Sequence, residues 1–106
     1  NINGTKVRFQ KVIDIPSKDL RKLVDSGKKE ISEGIVIIFA TKDNKIGLAV
    51  GVTDKLTKKY DAVKFAKIAS EIVGGKGGGG RQDFAQAGGT TPDKIEEAFA
   101  KLKTLI

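Results

Sequence analysis

The chain has 106 residues and carries 20 lysines and arginines against 13 aspartates and glutamates, a formal net charge of +7. It contains no cysteine and no histidine, which excludes disulfides, thiolate metal sites and histidine acid–base catalysis. It also has no apolar run of about 20 residues, which a membrane-spanning helix requires.

The N-terminal part of the sequence predicts a strand followed by a helix. Residues 5–15 are rich in β-formers and show partial alternation, which indicates a strand with one basic face. The next segment places leucines and valine at helical spacing. We expect Ser17 to cap this helix at its N-terminus and Gly27 to end it.

A hairpin of two apolar strands is predicted next. The unbroken apolar run 34–40 is typical of a central strand buried on both faces. Turn-forming residues at Asp43–Asn44 connect it to a second strand over 46–52. One face of that second strand has only small residues, where a helix or a ligand can approach closely; they are Gly47, Ala49 and Gly51.

The second half predicts helix, strand and helix around a glycine-rich segment. A helical pattern begins at Asp61 and ends at Gly74–Gly75. A short strand over 83–87 points Phe84 inward, and Thr91–Pro92 opens a closing helix. The order β-α-β-β-α-β-α predicts a single α/β (α+β) domain over residues 1–106. We expect two or three layers around a mixed sheet of about four strands.

Glycine dominates the segment 74–89, which holds eight of the 13 glycines. Some of them fit the G-x-G-x-x-G spacing of dinucleotide sites, but that motif must follow a strand and open a helix, and here it follows a helix. A nucleotide P-loop is excluded as well, because Lys76 is followed by Gly77 and not by serine or threonine. Nucleotide chemistry is therefore not expected.

Two interpretations of the glycine run remain open. In one, the freed backbone amides of Gly77, Gly78, Gly79 and Gly80 form a cradle for anionic oxygens. In the other, the glycines only shape a loop. Side chains that would complete an anion site are Lys76, Arg81, Gln82 and Gln86, with support from Lys58, Lys59 and Lys64. Because the site has no nucleophile, base or metal ligand, it indicates binding without catalysis.

The stretch VGGKGGGGRQDFAQAGG (73–89) resembles the signature near the C-terminus of alanyl-tRNA synthetases, the domain type that also accompanies DHH-family phosphoesterases. Gly80 is a one-residue extension of the family's glycine run. DHH relatives commonly carry a histidine after the glycines, and its absence favours the synthetase branch.

The resemblance implies a non-catalytic module that contacts the outer corner (elbow) of tRNA-Ala. It would help the aminoacylation and editing domains of the same cytoplasmic synthetase act on one tRNA. ATP, magnesium and zinc would be used elsewhere in the whole enzyme, with no cofactor and no membrane in this domain. The chain lacks methionine even at position 1, so we expect a fragment of a longer protein. The resemblance implies a helical dimerisation segment that would precede Asn1 and is missing here, so we expect the fragment to be monomeric and the full-length protein to be a dimer.

Two alternatives differ in class. The first is the substrate-binding domain of a DHH-family phosphodiesterase or exonuclease, which Asp-His-His metal motifs upstream of Asn1 would support. The second is a protein-interaction or dimerisation module in which the glycine segment is purely structural.

Overall fold

Five strands and three α-helices make up the computed structural model, which describes residues 4–75 and 78–106. The strands are β1 (Val7–Ile13), β2 (Ile35–Lys42), β3 (Lys45–Val52), β4 (Gly78–Arg81) and β5 (Phe84–Gly89). The helices are α1 (Leu20–Ile31), α2 (Ala62–Ile72) and α3 (Ile95–Thr104). In the described ranges, no helix combines the length and the apolar character needed to cross a bilayer.

The strands form one mixed sheet in the order β1-β2-β3-β5-β4. β1 runs parallel to β2, with Val7 opposite Ile35, and all other neighbouring strands are antiparallel. Because β5 pairs with β3, the glycine-rich β4 becomes the edge of the sheet. The predicted mixed α/β domain is confirmed, with a fifth strand in addition to the four expected.

Helices cover both faces, so the domain has three layers. Helix α1 packs on one face through Leu20 and Val24, which contact apolar residues of β2 and β3. Helices α2 and α3 pack on the opposite face over a larger core. On that side Phe99 meets Phe39 edge-on, with ring centroids 4.8 Å apart. At the β4–β5 end of the sheet, α2 packs against both strands on one face, and on the other face Phe84 of β5 joins the α1 core.

The central hairpin has the predicted form. Every residue of β2 from Ile35 to Ala40 is buried, as expected for a strand covered on both faces. Asp43 and Asn44 have φ angles of +52° and +63°, the left-handed pair that a two-residue hairpin turn uses. The small-residue face of β3 lies against a helix, because a Cβ added to Gly51 would overlap Cγ1 of Val24 in α1.

Helix α2 also begins and ends where predicted. Asp61 caps it by accepting a hydrogen bond from the Val63 amide at 2.9 Å. Gly74 follows its last turn with φ +83°, a conformation that favours glycine. At α3 the predicted start is partly wrong. Pro92 opens a short 3-10 turn, the α-helix follows from Ile95, and the Thr91 side chain makes no capping hydrogen bond.

Two predicted boundaries are wrong. Gly27 does not end α1; it lies inside the helix, where a Cβ would come within 3.0 Å of the Val36 side chain. The helix continues to Ile31, and Gly27 allows it to pack closely on β2. The Gly78–Arg81 stretch is a strand rather than a loop, because β5 supplies a partner in register. The predicted capping role of Ser17 concerns a side chain outside the described residues.

Candidate nucleic-acid interface

The glycine-rich segment folds as a β-hairpin at the edge of the sheet. Helix α2 ends, the chain passes Gly75, and β4 then pairs antiparallel with β5 across the turn at Gln82–Asp83. All four residues of β4 are exposed. A strand at the edge of a sheet leaves alternate backbone N–H and C=O groups without a partner strand. In β4 these groups are covered by almost no side-chain atoms.

The hairpin turn is fixed by hydrogen bonds to three other elements. The carbonyl oxygen of Asp83 accepts from the Val52 amide at 2.9 Å and from Lys28 Nζ at 2.7 Å. The carbonyl oxygen of Gln82 accepts from the Ala62 amide at the start of α2, at 3.0 Å. The turn is thereby tied to β3, α1 and α2, so the hairpin is a positioned element of the fold.

Most glycines of this segment are required by close packing. A Cβ on Gly78 would lie 2.6 Å from Ala87 Cβ and overlap the Gln86 carbonyl oxygen. Gly80 has φ +152°, and its Cβ would overlap the Phe84 carbonyl oxygen. Gly79 differs, since nothing lies within 4 Å of its Cβ position. Of the two interpretations of the run, shape therefore accounts for Gly78 and Gly80 but not for Gly79.

The residues predicted from the glycine run fall into three groups. Lys76 and Gly77 lie outside the described residues. Arg81 is exposed at the end of β4, together with Gly78, Gly79 and Gly80, and Gln82 is exposed in the turn. Gln86 is half-buried in β5, where it is the register partner of Gly79.

The lysines predicted as support lie around the start of α2. Lys58 and Lys59 precede the helix, and the Lys59 ammonium is 5.4 Å from the centroid of the Tyr60 ring. Lys64 is exposed on the first turn of α2. The bond between Ala62 and Gln82 brings this end of α2 to the hairpin turn. The predicted lysines and Arg81 thus belong to one end of the sheet.

Two basic residues at the hairpin were not predicted. The guanidinium carbon of Arg21 lies 5.1 Å from the centroid of the Phe84 ring, and Lys28 bonds to the Asp83 carbonyl. Both come from α1, on the face of the sheet opposite α2. Their spacing of seven residues puts them on one side of a helix. The sequence therefore indicates a basic helix face, but it does not indicate that this face contacts the hairpin.

The basic residues at the hairpin form no ion pair with acidic side chains of the described residues. Residues 4–75 and 78–106 contain three ion pairs: Arg8 with Glu30, Lys11 with Glu96 and Lys94 with Glu97. Arg21, Lys28 and Arg81 belong to none of them. Over the same ranges, no three carboxylates come close enough to hold a metal ion. The arrangement can attract an anion and hydrogen-bond it.

Comparison with known proteins adds a family match and two close relatives. The DHHA1 domain family matches residues 4–106. The alanine–tRNA ligase of Bradyrhizobium diazoefficiens is 47% identical over 103 residues, 96% of this chain and 12% of that protein. The alanine–tRNA ligase of Parvibaculum lavamentivorans is 43% identical over 104 residues, 97% of this chain and again 12% of that protein. The chain thus spans about an eighth of these relatives.

A solved structure matches over nearly the whole length of both chains. The crystal structure of the C-Ala domain from Aquifex aeolicus alanyl-tRNA synthetase superimposes with a TM-score of 0.93 at 30% identity. The match covers 99% of this chain and 94% of that one. Sequence and fold therefore agree over nearly the whole of this chain.

Proposed function

The chain belongs to the DHHA1 domain family as a C-Ala domain of the alanyl-tRNA synthetase type, and on that premise we propose that it binds the outer corner of tRNA-Ala without catalysing a reaction. In this proposal it holds one tRNA for the aminoacylation and editing domains of a larger cytoplasmic synthetase. The domain by itself acts as a monomer in this proposal. ATP, magnesium and zinc are used by the other domains.

The observation that carries the proposal is the exposed edge strand β4, in which three glycines without side chains are followed by Arg81. A phosphate oxygen can approach a glycine backbone closely, because no side chain stands in its path. The guanidinium of Arg81 suits phosphate because its donors form a planar fork. Backbone amides of the glycine run and the Arg81 and Lys76 side chains are therefore proposed to contact the sugar–phosphate backbone.

Positive charge around the hairpin extends this contact. Lys58, Lys59 and Lys64 lie at the neighbouring end of α2, and Gln82 and Gln86 add amide groups. Contacts of this kind position an RNA without reading its bases. A folded RNA recognised through its backbone and shape matches a domain of net charge +7 that has no histidine.

Lys76→Ala/Arg81→Ala is expected to weaken binding of a tRNA-Ala transcript roughly tenfold, since two exposed ion pairs of about 0.7 kcal/mol each are lost. Neutralised phosphates release counterions, so the logarithm of the binding constant falls with the logarithm of the salt concentration. The double variant should make that slope shallower by about 1.4–1.8. Electrophoretic shifts over a salt series give both quantities.

The matched control is Lys42→Ala/Lys45→Ala, which removes the same charge from the β2–β3 turn. That turn lies at the other end of β3 from Val52, the residue that bonds to the hairpin turn. The control variant should bind almost as the native chain does, and thermal unfolding of both variants should stay within about 2 °C of native. Equal loss in the two variants, or native binding that ignores salt, would contradict the proposal.

A further inference from the structure

A second cationic surface lies on the α1 face of the hairpin. It consists of Arg21, Lys28 and Arg81, named here the α1 cation cluster. The guanidinium of Arg21 lies over the Phe84 ring, and Lys28 donates a hydrogen bond to the neighbouring Asp83 carbonyl. Arg81 is the register partner of Phe84. Directly paired residues of an antiparallel sheet point to the same face, so the Arg81 side chain leaves the sheet on the α1 face as well.

Next to this cluster, among the described residues, α1 makes no extensive contact with β4. Helix α1 lies over β2 and β3, whereas α2 covers β3, β5 and β4 on the opposite face. On the α1 face, Gly79 is paired with Gln86, and the space where a Gly79 Cβ would stand is empty to 4 Å. The surface of Gly79 and Gln86 is named here the open shelf. It is bounded by Arg81 on the strand and by Arg21 on the helix.

The positive charges of the α1 cation cluster are not paired with acidic side chains of the described residues. Within the described part of the chain, none of the three cations forms an ion pair. Asp25, one turn from both Arg21 and Lys28 on α1, is exposed and pairs with neither. Like charges held near one another repel, and an anion placed over the shelf would offset that repulsion.

The members of the cluster differ in what they can do. Lys28 is committed to the hairpin turn, and its stem lies over Gly51, which makes it a positioning residue. The guanidinium carbon of Arg21 lies 5.1 Å from the Phe84 ring centroid, and Arg21 belongs to none of the ion pairs of the described residues. A guanidinium held against an aromatic ring is placed before it binds phosphate. Arg21 and Arg81 are therefore the contact residues.

We propose that the RNA contact surface continues from the β4 edge across the open shelf, where Arg21 and Arg81 bind successive phosphates of the sugar–phosphate backbone. This inference rests on the proposed RNA-binding function and adds the face on which the RNA lies. It assigns a phosphate contact to helix α1, which precedes the glycine run in the chain by about 50 residues.

The test compares Arg21→Gln with Lys22→Gln, which removes the same charge from an exposed neighbour on the same helix. Arg21→Gln should weaken tRNA-Ala binding about three- to fivefold, the effect of one exposed ion pair. It should also make the salt slope shallower by about 0.7–0.9, the value of one phosphate. Lys22→Gln should change the affinity less than twofold.

A second variant tests the shelf without changing charge. Gly79→Val places a β-branched side chain, which strands accept well, in the empty space on the α1 face. It should leave the melting temperature within about 3 °C of native and weaken tRNA binding about fivefold, because it blocks approach to the shelf. Retained affinity in Gly79→Val would show that the RNA does not cross it.

The outcomes distinguish failure of this inference from failure of the proposed RNA-binding function. Native binding to tRNA with equal effects of Arg21→Gln and Lys22→Gln overturns the α1 contact and leaves RNA binding standing. Displacement of tRNA by poly-glutamate of equal total charge would overturn RNA as the ligand of the cluster. Absence of any salt-dependent tRNA binding by the native chain would overturn both.

Discussion

The Gly75→Ala variant is expected to unfold roughly 10–20 °C below the native chain. A Cβ at this position would overlap the carbonyl oxygen of Gly88 and Oγ of Ser70. Neither group can move freely, because Gly88 belongs to β5 and Ser70 donates its hydroxyl to that same carbonyl. Overlap of this kind costs about 2–3 kcal/mol, and each kcal/mol lowers the melting temperature by about 4–8 °C in a domain of this size.

Gly79→Ala is the matched control, since it makes the same chemical change four residues away in open space. Its melting temperature should stay within about 3 °C of native. Thermal unfolding followed by circular dichroism measures both variants. If the two variants melted together, the glycine run would not be held by the contacts described for it.

Gly51→Ala and Val24→Ala are expected to be strongly non-additive. A Cβ on Gly51 overlaps Cγ1 of Val24 and comes within 2.8 Å of Lys28 Cε, which costs about 1–3 kcal/mol. Val24→Ala alone loses about 2 kcal/mol, because two buried methyl groups leave a cavity. In the double variant the new methyl group enters space that Val24 has left. Its destabilisation should be at least about 1 kcal/mol below the sum.

Chemical denaturation of the four proteins completes this cycle. The pair Gly51→Ala and Ala98→Gly supplies a comparison, because Ala98 belongs to α3 on the other side of the sheet. Those two changes should add within about 0.5 kcal/mol. Additive behaviour of Gly51 with Val24 would mean that α1 does not approach β3 as closely as the small-residue face suggests.

Elements with strong local signals could be predicted from the sequence. The run 34–40 is apolar at every position, and Asp43–Asn44 supplies the turn, so the β2–β3 hairpin depends on neighbours in the chain. The start of α2 at Asp61 is similarly local, since the capping bond reaches only to Val63. The small-residue face of β3 also predicted close approach of a helix, and α1 supplies it.

Features decided by distant partners could not be predicted. Gly27 has the sequence appearance of a helix end, and only the contact with Val36 shows why glycine stands inside α1. Glycine disfavours strands, so Gly78–Gly80 suggested a loop until β5 supplied a register. Arg21 reaches the hairpin because β5 is inserted between β3 and β4, an order that no local pattern encodes.

Because the edge strand β4 has almost no side chains, we expect charge repulsion, not steric hindrance, to limit self-association of the chain. Edge strands are commonly protected from pairing with another copy by bulky or charged side chains, and Gly78–Gly80 provide none. We expect electrostatic repulsion between the arginines of two approaching copies to prevent this pairing instead. At 1 M salt, where screening acts over about 3 Å, this barrier to aggregation is weakened. We therefore expect dilute salt, which would also favour the proposed RNA binding, to keep concentrated solutions of the chain dispersed.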